Sequence, residues 1–307
     1  MIRPRRPSGS GYVGPRWPYT RNEDSPQAEG LIGWWPMAHP GGSTLYDLSG
    51  RGGHGTLTNM ESTDWEANRF GGQLLSLGGT NEHVNISPMS HLATARGSFS
   101  CWFQSTTDNL GTLFGVSNTG ANTACWLLSG NGATATLTDE IITIACNNAG
   151  VTGNRVGFVT STRTILFDGN PHHITVTAGG TYGIIIDGID RAITVGAGAD
   201  DGQWFNRSGV NDVQIGMVEI GGGVGNIQPL VARVWDVRVY DRAMPASEAF
   251  GLYDPETRFD LYYELGRKTY SFAPVAAGGD NNPSLFRHAS LSGLGSGGPL
   301  FHNPLAA

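Results

Sequence analysis

At 307 residues the chain is long enough for one large domain or two ordinary ones, and all-β sandwiches reach 200 residues or more as single units. Charged residues are only 15%, against roughly 25% in most soluble proteins; glycine occupies 46 positions, and the net charge is −7 with Lys268 the only lysine. This balance excludes the basic footprint of a nucleic-acid binder, and no apolar run reaches the ~20 residues of a membrane helix.

Residues 1–29 are rich in Pro, Gly, Arg and Ser and show no periodicity. Pro4, Pro7, Pro15 and Pro18 alternate with Tyr12, Trp17 and Tyr19, which predicts an extended arm, because Pro fixes φ and donates no backbone hydrogen bond. Met1 leads into Ile-Arg-Pro-Arg-Arg-Pro with no apolar segment behind it, so no standard secretory signal is expected. Solvated tails rarely carry Trp and Tyr, and Tyr12, Trp17 and Tyr19 are therefore expected to dock on a partner.

From residue 31 the pattern changes to short β-prone runs divided by turn residues. Strands are predicted at Leu31–Met37, Gln73–Leu77, His83–Ile86, Ser98–Gln104, Thr112–Val116, Ala124–Leu128, Ile141–Ala145 and Val156–Val159. They continue at His172–Thr177, Tyr182–Ile186, Arg191–Val195, Asp212–Ile215 and Leu230–Tyr240. Asp187-Gly188 between two β-prone runs predicts a type I′ hairpin, since both turn residues need positive φ. With Gly179-Gly180 before it, a three-strand meander follows. In Leu230–Tyr240, alternation assigns Val231, Trp235, Val237 and Val239 to the core face. One short helix is predicted behind Pro245, with Ala249, Phe250 and Tyr253 as its apolar face. Cys101, Cys125 and Cys146 lack metal-type spacing and read as small buried hydrophobes. Residues 255–307 form a second tail, in which Phe286, Leu291, Leu300 and Phe301 are spaced through Gly, Ser and Asn as pegs for a partner's groove.

Four stretches in order resemble the laminin-G-like, concanavalin A-like lectin family. They are Gly30–Met37 with the loop Tyr46-Asp-Leu-Ser-Gly-Arg-Gly-Gly-His-Gly-Thr-Leu57; Leu75–Ile86 with Phe99–Phe103; Phe167–Val176 leading to Asp187-Gly188; and Val234–Pro245. Residues 117–165 match poorly, and Pro171 stands where the family usually has Trp. The resemblance implies an all-β, two-sheet antiparallel jelly-roll sandwich over residues 30–254, between extended arms at 1–29 and 255–307. It also implies a structural calcium near Asp236, beside the loop that holds Asp47. The competing reading is that Asp47 caps a turn and Asp236 pairs with an Arg.

A lectin fold does not by itself establish sugar binding. A single such domain between two docking arms is expected to be a non-catalytic virion protein. It would be a bacteriophage capsid decoration or accessory subunit, homo-oligomeric and attached to the major capsid or another virion protein. The alternative is a carbohydrate-binding module at a cell surface or outside the cell, with or without calcium. Its candidate sugar contacts are Trp204 with Asp201, Gln203 and Asn206 in one loop, and Trp65 in another. No catalytic residues are assigned, because the paired carboxylates of a glycosidase do not appear: Asp139 and Glu140 are adjacent and point to opposite faces of a strand.

Overall fold

The computed structural model describes residues 18–264, except 38–41, 69, 71, 87–90, 92–93, 131–136, 138, 149–150, 206–208 and 221–224. The chain divides into compact units at 1–265 and 266–307, and the second lies outside the described residues. Among the described residues two antiparallel sheets, of nine and eight strands, face each other as a sandwich. No described helix is long and apolar enough to cross a membrane.

The core between the sheets follows from strand alternation. Phe99, Cys101 and Phe103 point inward from one sheet, and Phe114, Val116, Leu127 and Ile144 from the other, all buried in one cluster. The predicted meander is present: His172–Ala178, Tyr182–Ile186 and Ile189–Arg191 pair in succession. Asp187 and Gly188 both take positive φ, 54° and 72°, as the type I′ turn requires. The predicted strand Arg191–Val195 is instead two. Ile189–Arg191 closes one edge of the eight-stranded sheet, and Thr194–Ala197 closes an edge of the nine-stranded sheet. The chain thus changes sheets between Arg191 and Thr194.

The long strand Val231–Tyr240 also departs from simple alternation. Trp235 pairs with Trp102, and the next registered pair is Arg238 with Ser100, so the strand carries an extra residue. That bulge contains Asp236 at φ 51°. Before it, Val234 pairs with the core residues Phe103 and Leu75. After it, Val237 and Val239 take the core side, while Trp235 lies on the outer face beside Trp102. The inserted residue explains why one alternation cannot describe the whole strand.

The outer face of the eight-stranded sheet is covered by segments assigned from sequence to the arms. Tyr19–Arg21 pairs with Tyr262–Glu264, and Tyr19, Leu31, Trp34, Tyr240, Leu252 and Leu261 form a second core beneath the helix Ala246–Tyr253. Gln27 fastens the two segments: its amide donates to Thr257 O at 2.7 Å, and its carbonyl accepts from Arg238 at 2.7 Å. Residues 18–29 and 255–264 therefore pack on the sandwich, because their apolar side chains find a sheet face to cover. Cys125 and Cys146 stand directly opposite on neighbouring strands and are joined as a disulfide, which corrects the reading of all three cysteines as free; Cys101 is free and buried.

Candidate functional site

The residues expected to bind sugar or metal fall in three places. Trp204 is 1% exposed, packed on Phe205 with ring centroids 4.2 Å apart and set against Gly97. A ring in that position cannot stack on a ligand. Asp201 accepts from Asn154 and from the Gln203 backbone N–H, and Gln203 O accepts from the Tyr182 hydroxyl, so this loop is closed on itself. Asn206 lies outside the described residues. Trp65 pairs with Leu75 and packs against the main core, which makes it a packing residue as well.

Of the expected docking side chains, Tyr19 is buried against Trp34 and Tyr262. Tyr12, Trp17, Phe286, Leu291, Leu300 and Phe301 lie outside the described residues.

Asp47 and Asp236 are both buried, and both are saturated with donors. Asp47 accepts from the backbone N–H groups of Trp34, Ser49 and Gly53 and from the Ser49 hydroxyl, at 2.8 to 3.0 Å. It organises the glycine-rich loop, where Gly50 and Gly52 take φ values of 83° and 76°. Asp236 accepts from the Trp34 indole N–H at 2.9 Å and from Arg238 Nε and Nη2 at 3.0 and 2.7 Å, and it is also bonded to the Tyr262 hydroxyl. A carboxylate offers about four lone-pair sites, and here four donors take them. Calcium needs six to eight free oxygens, and a guanidinium already neutralises Asp236. With their oxygens engaged in this way, the two carboxylates do not fit a calcium ion, and the arrangement matches the competing reading of a turn-capping Asp47 and an Arg-paired Asp236.

A cleft lies over the same sheet face. Trp102 and Trp235 stack at 5.8 Å and 8°, and Phe70 packs on Trp102 at 5.0 Å. Asn68, Asp236, Phe259 and Tyr262 complete its walls. Its polar groups are occupied: Asn68 Oδ1 accepts from Phe70 N and Gly72 N, and its amide donates to Gln73 O. The Arg258 guanidinium lies 4.3 Å above the Phe70 ring. The polar side chains Asn68 and Asp236 in its walls are thus spent on internal bonds.

The outer face of the nine-stranded sheet is different. Thr44 pairs with Thr56, Thr56 with Asn85, and Asn85 with Gln214, so one row of side chains crosses four strands on one face. Thr56 and Asn85 are exposed strand residues, and neither side chain is hydrogen-bonded to a described residue. At the edge of the row Tyr46 is 51% exposed and meets the His54 ring edge-on at 5.5 Å. At the other end the row closes on Gln214, which donates to Asp212 at 3.1 Å. Burial pushes the Asp212 carboxyl up, against the pull of that bond, and the nearby Glu219 charge adds to the rise. Sequence reading missed this face, since Tyr46 was taken only as part of a family loop. Its one sequence signal is the exposed-side alternation of Asn85 between Val84 and Ile86.

No protein-family model and no curated protein sequence matches the chain. Among solved structures it is similar to domain 4 of an extracellular arabinanase from Geobacillus stearothermophilus, in complex with arabinotriose. That likeness covers 73% of this chain and 98% of that domain, at 16% identity and a TM-score of 0.50. It is also similar to the binding domain of paraclostridial mosquitocidal protein 1, over 74% of this chain but only 52% of that one, at 13% identity and a TM-score of 0.50. The fold is thus a lectin-like β-sandwich.

Proposed function

We propose that the chain is a non-catalytic, glycan-binding domain of the lectin type. The observation that carries this reading is the contrast between its two outer faces. The aromatic cleft has its polar groups satisfied internally, whereas the face with Tyr46, His54, Thr56 and Asn85 presents unoccupied hydrogen-bonding groups around an exposed ring. Sugars need such a surface, polar groups for the hydroxyls and an aromatic face for the C–H side. The similarity to a domain bound to arabinotriose supports the same reading, as an extracellular or surface setting would.

Catalysis finds less support. A glycosidase needs two carboxylates across an open cleft. Asp47 and Asp212, the acids named beside this face, are both buried and bonded internally, Asp212 to Ser117 and Gln214. A glycan array probed with the purified full chain tests the proposal, and an array without a single reproducible hit would sink it.

We keep as a second reading a phage capsid decoration or accessory subunit, which would need an apolar contact surface away from the glycan face. Phe250 on the helix and Ile189 beside the Asp187-Gly188 turn are 48% and 55% exposed, and Phe250 packs over Gly188. Exposed apolar residues of this kind suit protein contact. Co-expression with candidate capsid proteins tests it, with co-purification expected and loss on deleting residues 265–307.

A further inference from the structure

Tyr46 and His54 sit opposite each other where the strands Thr44–Leu45 and Gly55–Thr58 enter their connecting loop. The loop is held from beneath by Asp47, whose carboxylate collects four donors. The Asp47 backbone N–H in turn donates to His54 Nδ1 at 3.0 Å. Because Nδ1 accepts, the proton of the neutral ring resides on Nε2. No described residue bonds to Nε2, so a fixed donor stands beside an exposed phenol ring. Tyr supplies rigid contact area at low entropic cost, which makes this pair a preorganised platform.

We propose that Tyr46, His54, Thr56 and Asn85 form the sugar-binding subsite, and that its ligand is an uncharged glycan; this rests on the glycan-binding reading above. The Tyr46 ring takes the C–H face of one sugar, and His54 Nε2–H donates to a hydroxyl of that sugar. Thr56 and Asn85, on successive strands about 4.8 Å apart, bond the hydroxyls that run on across the sheet. The row from Thr44 through Thr56 and Asn85 to Gln214 contains no cationic side chain, so nothing along it is placed to pair with a sugar carboxylate. Arg51 is the one cation between Tyr46 and His54 in the chain, and its guanidinium makes no bond to a described residue. Its substitution therefore tests whether a cation of this loop contributes to binding, as an acidic sugar would require.

The test uses the strongest glycan from the array in calorimetric titrations of the full chain and of Tyr46→Ala, Asn85→Ala and Arg51→Ala. All three side chains are exposed, and thermal midpoints should confirm that each variant folds. Affinity is expected to fall about tenfold or more for Tyr46→Ala, several-fold for Asn85→Ala and less than about twofold for Arg51→Ala. Undiminished binding by Tyr46→Ala overturns the site while leaving the glycan reading intact. A tenfold loss in Arg51→Ala, or a sialylated or uronic best ligand, overturns the uncharged-ligand assignment. Failure of the unmodified chain to bind any glycan overturns both.

Discussion

The indole N–H of Trp34 donates to the Asp236 carboxylate at 2.9 Å, inside a core where Trp34 is 0% exposed. The backbone N–H of the same residue donates to Asp47, so one tryptophan bridges the two acids that a metal would have needed. Arg238, 1% exposed, completes the buried cluster, and the adjoining carboxylate holds its guanidinium firmly protonated despite burial.

Breaking this cluster is expected to be costly. Asp236→Ala leaves Arg238 as an unpaired buried cation and should destabilise the fold by about 3–5 kcal/mol. Trp34→Phe keeps most of the ring but removes one donor, and should cost about 1–3 kcal/mol. Urea unfolding of both variants checks the order; equal stability of Asp236→Ala and wild type would contradict it.

Calcium should leave the protein unmoved. A structural site would raise the unfolding midpoint by several degrees at saturating metal. Because Asp47 and Asp236 spend their oxygens on internal donors, melting curves in calcium and in a chelator are expected to superimpose.

The adjacent histidines should give opposite pH limbs. Burial opposes protonation of His172, but its hydrogen bonds to Asp187 and Asp168, at 2.6 and 2.9 Å, outweigh it and raise the pKa. Its contribution is complete below the unfolded pKa of about 6.5 and is lost as pH rises through the higher folded value. His173 is fully buried, and burial with the Arg238 charge lowers it to about 3. Below about pH 6.5 the unfolded chain takes up a proton that the folded one refuses, so His173 costs stability as pH falls toward 3. Stability profiles of His172→Gln and His173→Leu should each lose one limb. Unchanged slopes in both would refute the assignment.

Trp204 should behave as core. Trp204→Ala is expected to cost about 3–5 kcal/mol without a specific effect on glycan binding. Gly97→Ala would place a methyl group 2.1 Å from Trp204 Nε1 and should cost about 1–3 kcal/mol or more through overpacking. Denaturation midpoints near wild type for both variants would show that the ring is not packed as described.

Much of the architecture was legible without coordinates, because strands and turns are written in local chemistry. The Asp187-Gly188 turn could be named from two residues, since few others accept positive φ at both positions. The helix behind Pro245 was legible because proline's fixed negative φ suits a helix start, though its buried side is Ala249 and Leu252, with Phe250 turned to solvent. Trp204 and Trp65 were misleading as site candidates, because a tryptophan in a polar loop looks the same whether it faces a ligand or the core.

What the sequence determined by itself is the class of fold, through period-two alternation, the glycine and Asx turns, and an apolar content sufficient for a core. Only the tertiary structure decided which groups remain available to a ligand. Asp236 shows why: its bulge shifts the facing of the strand, and its oxygens are taken by Trp34, Arg238 and Tyr262, residues up to 202 positions away. Hydrogen-bond saturation depends on contacts that local sequence does not encode. The same accounting leaves Thr56 and Asn85, on strands far apart in the chain, open on one face beside Tyr46 and His54.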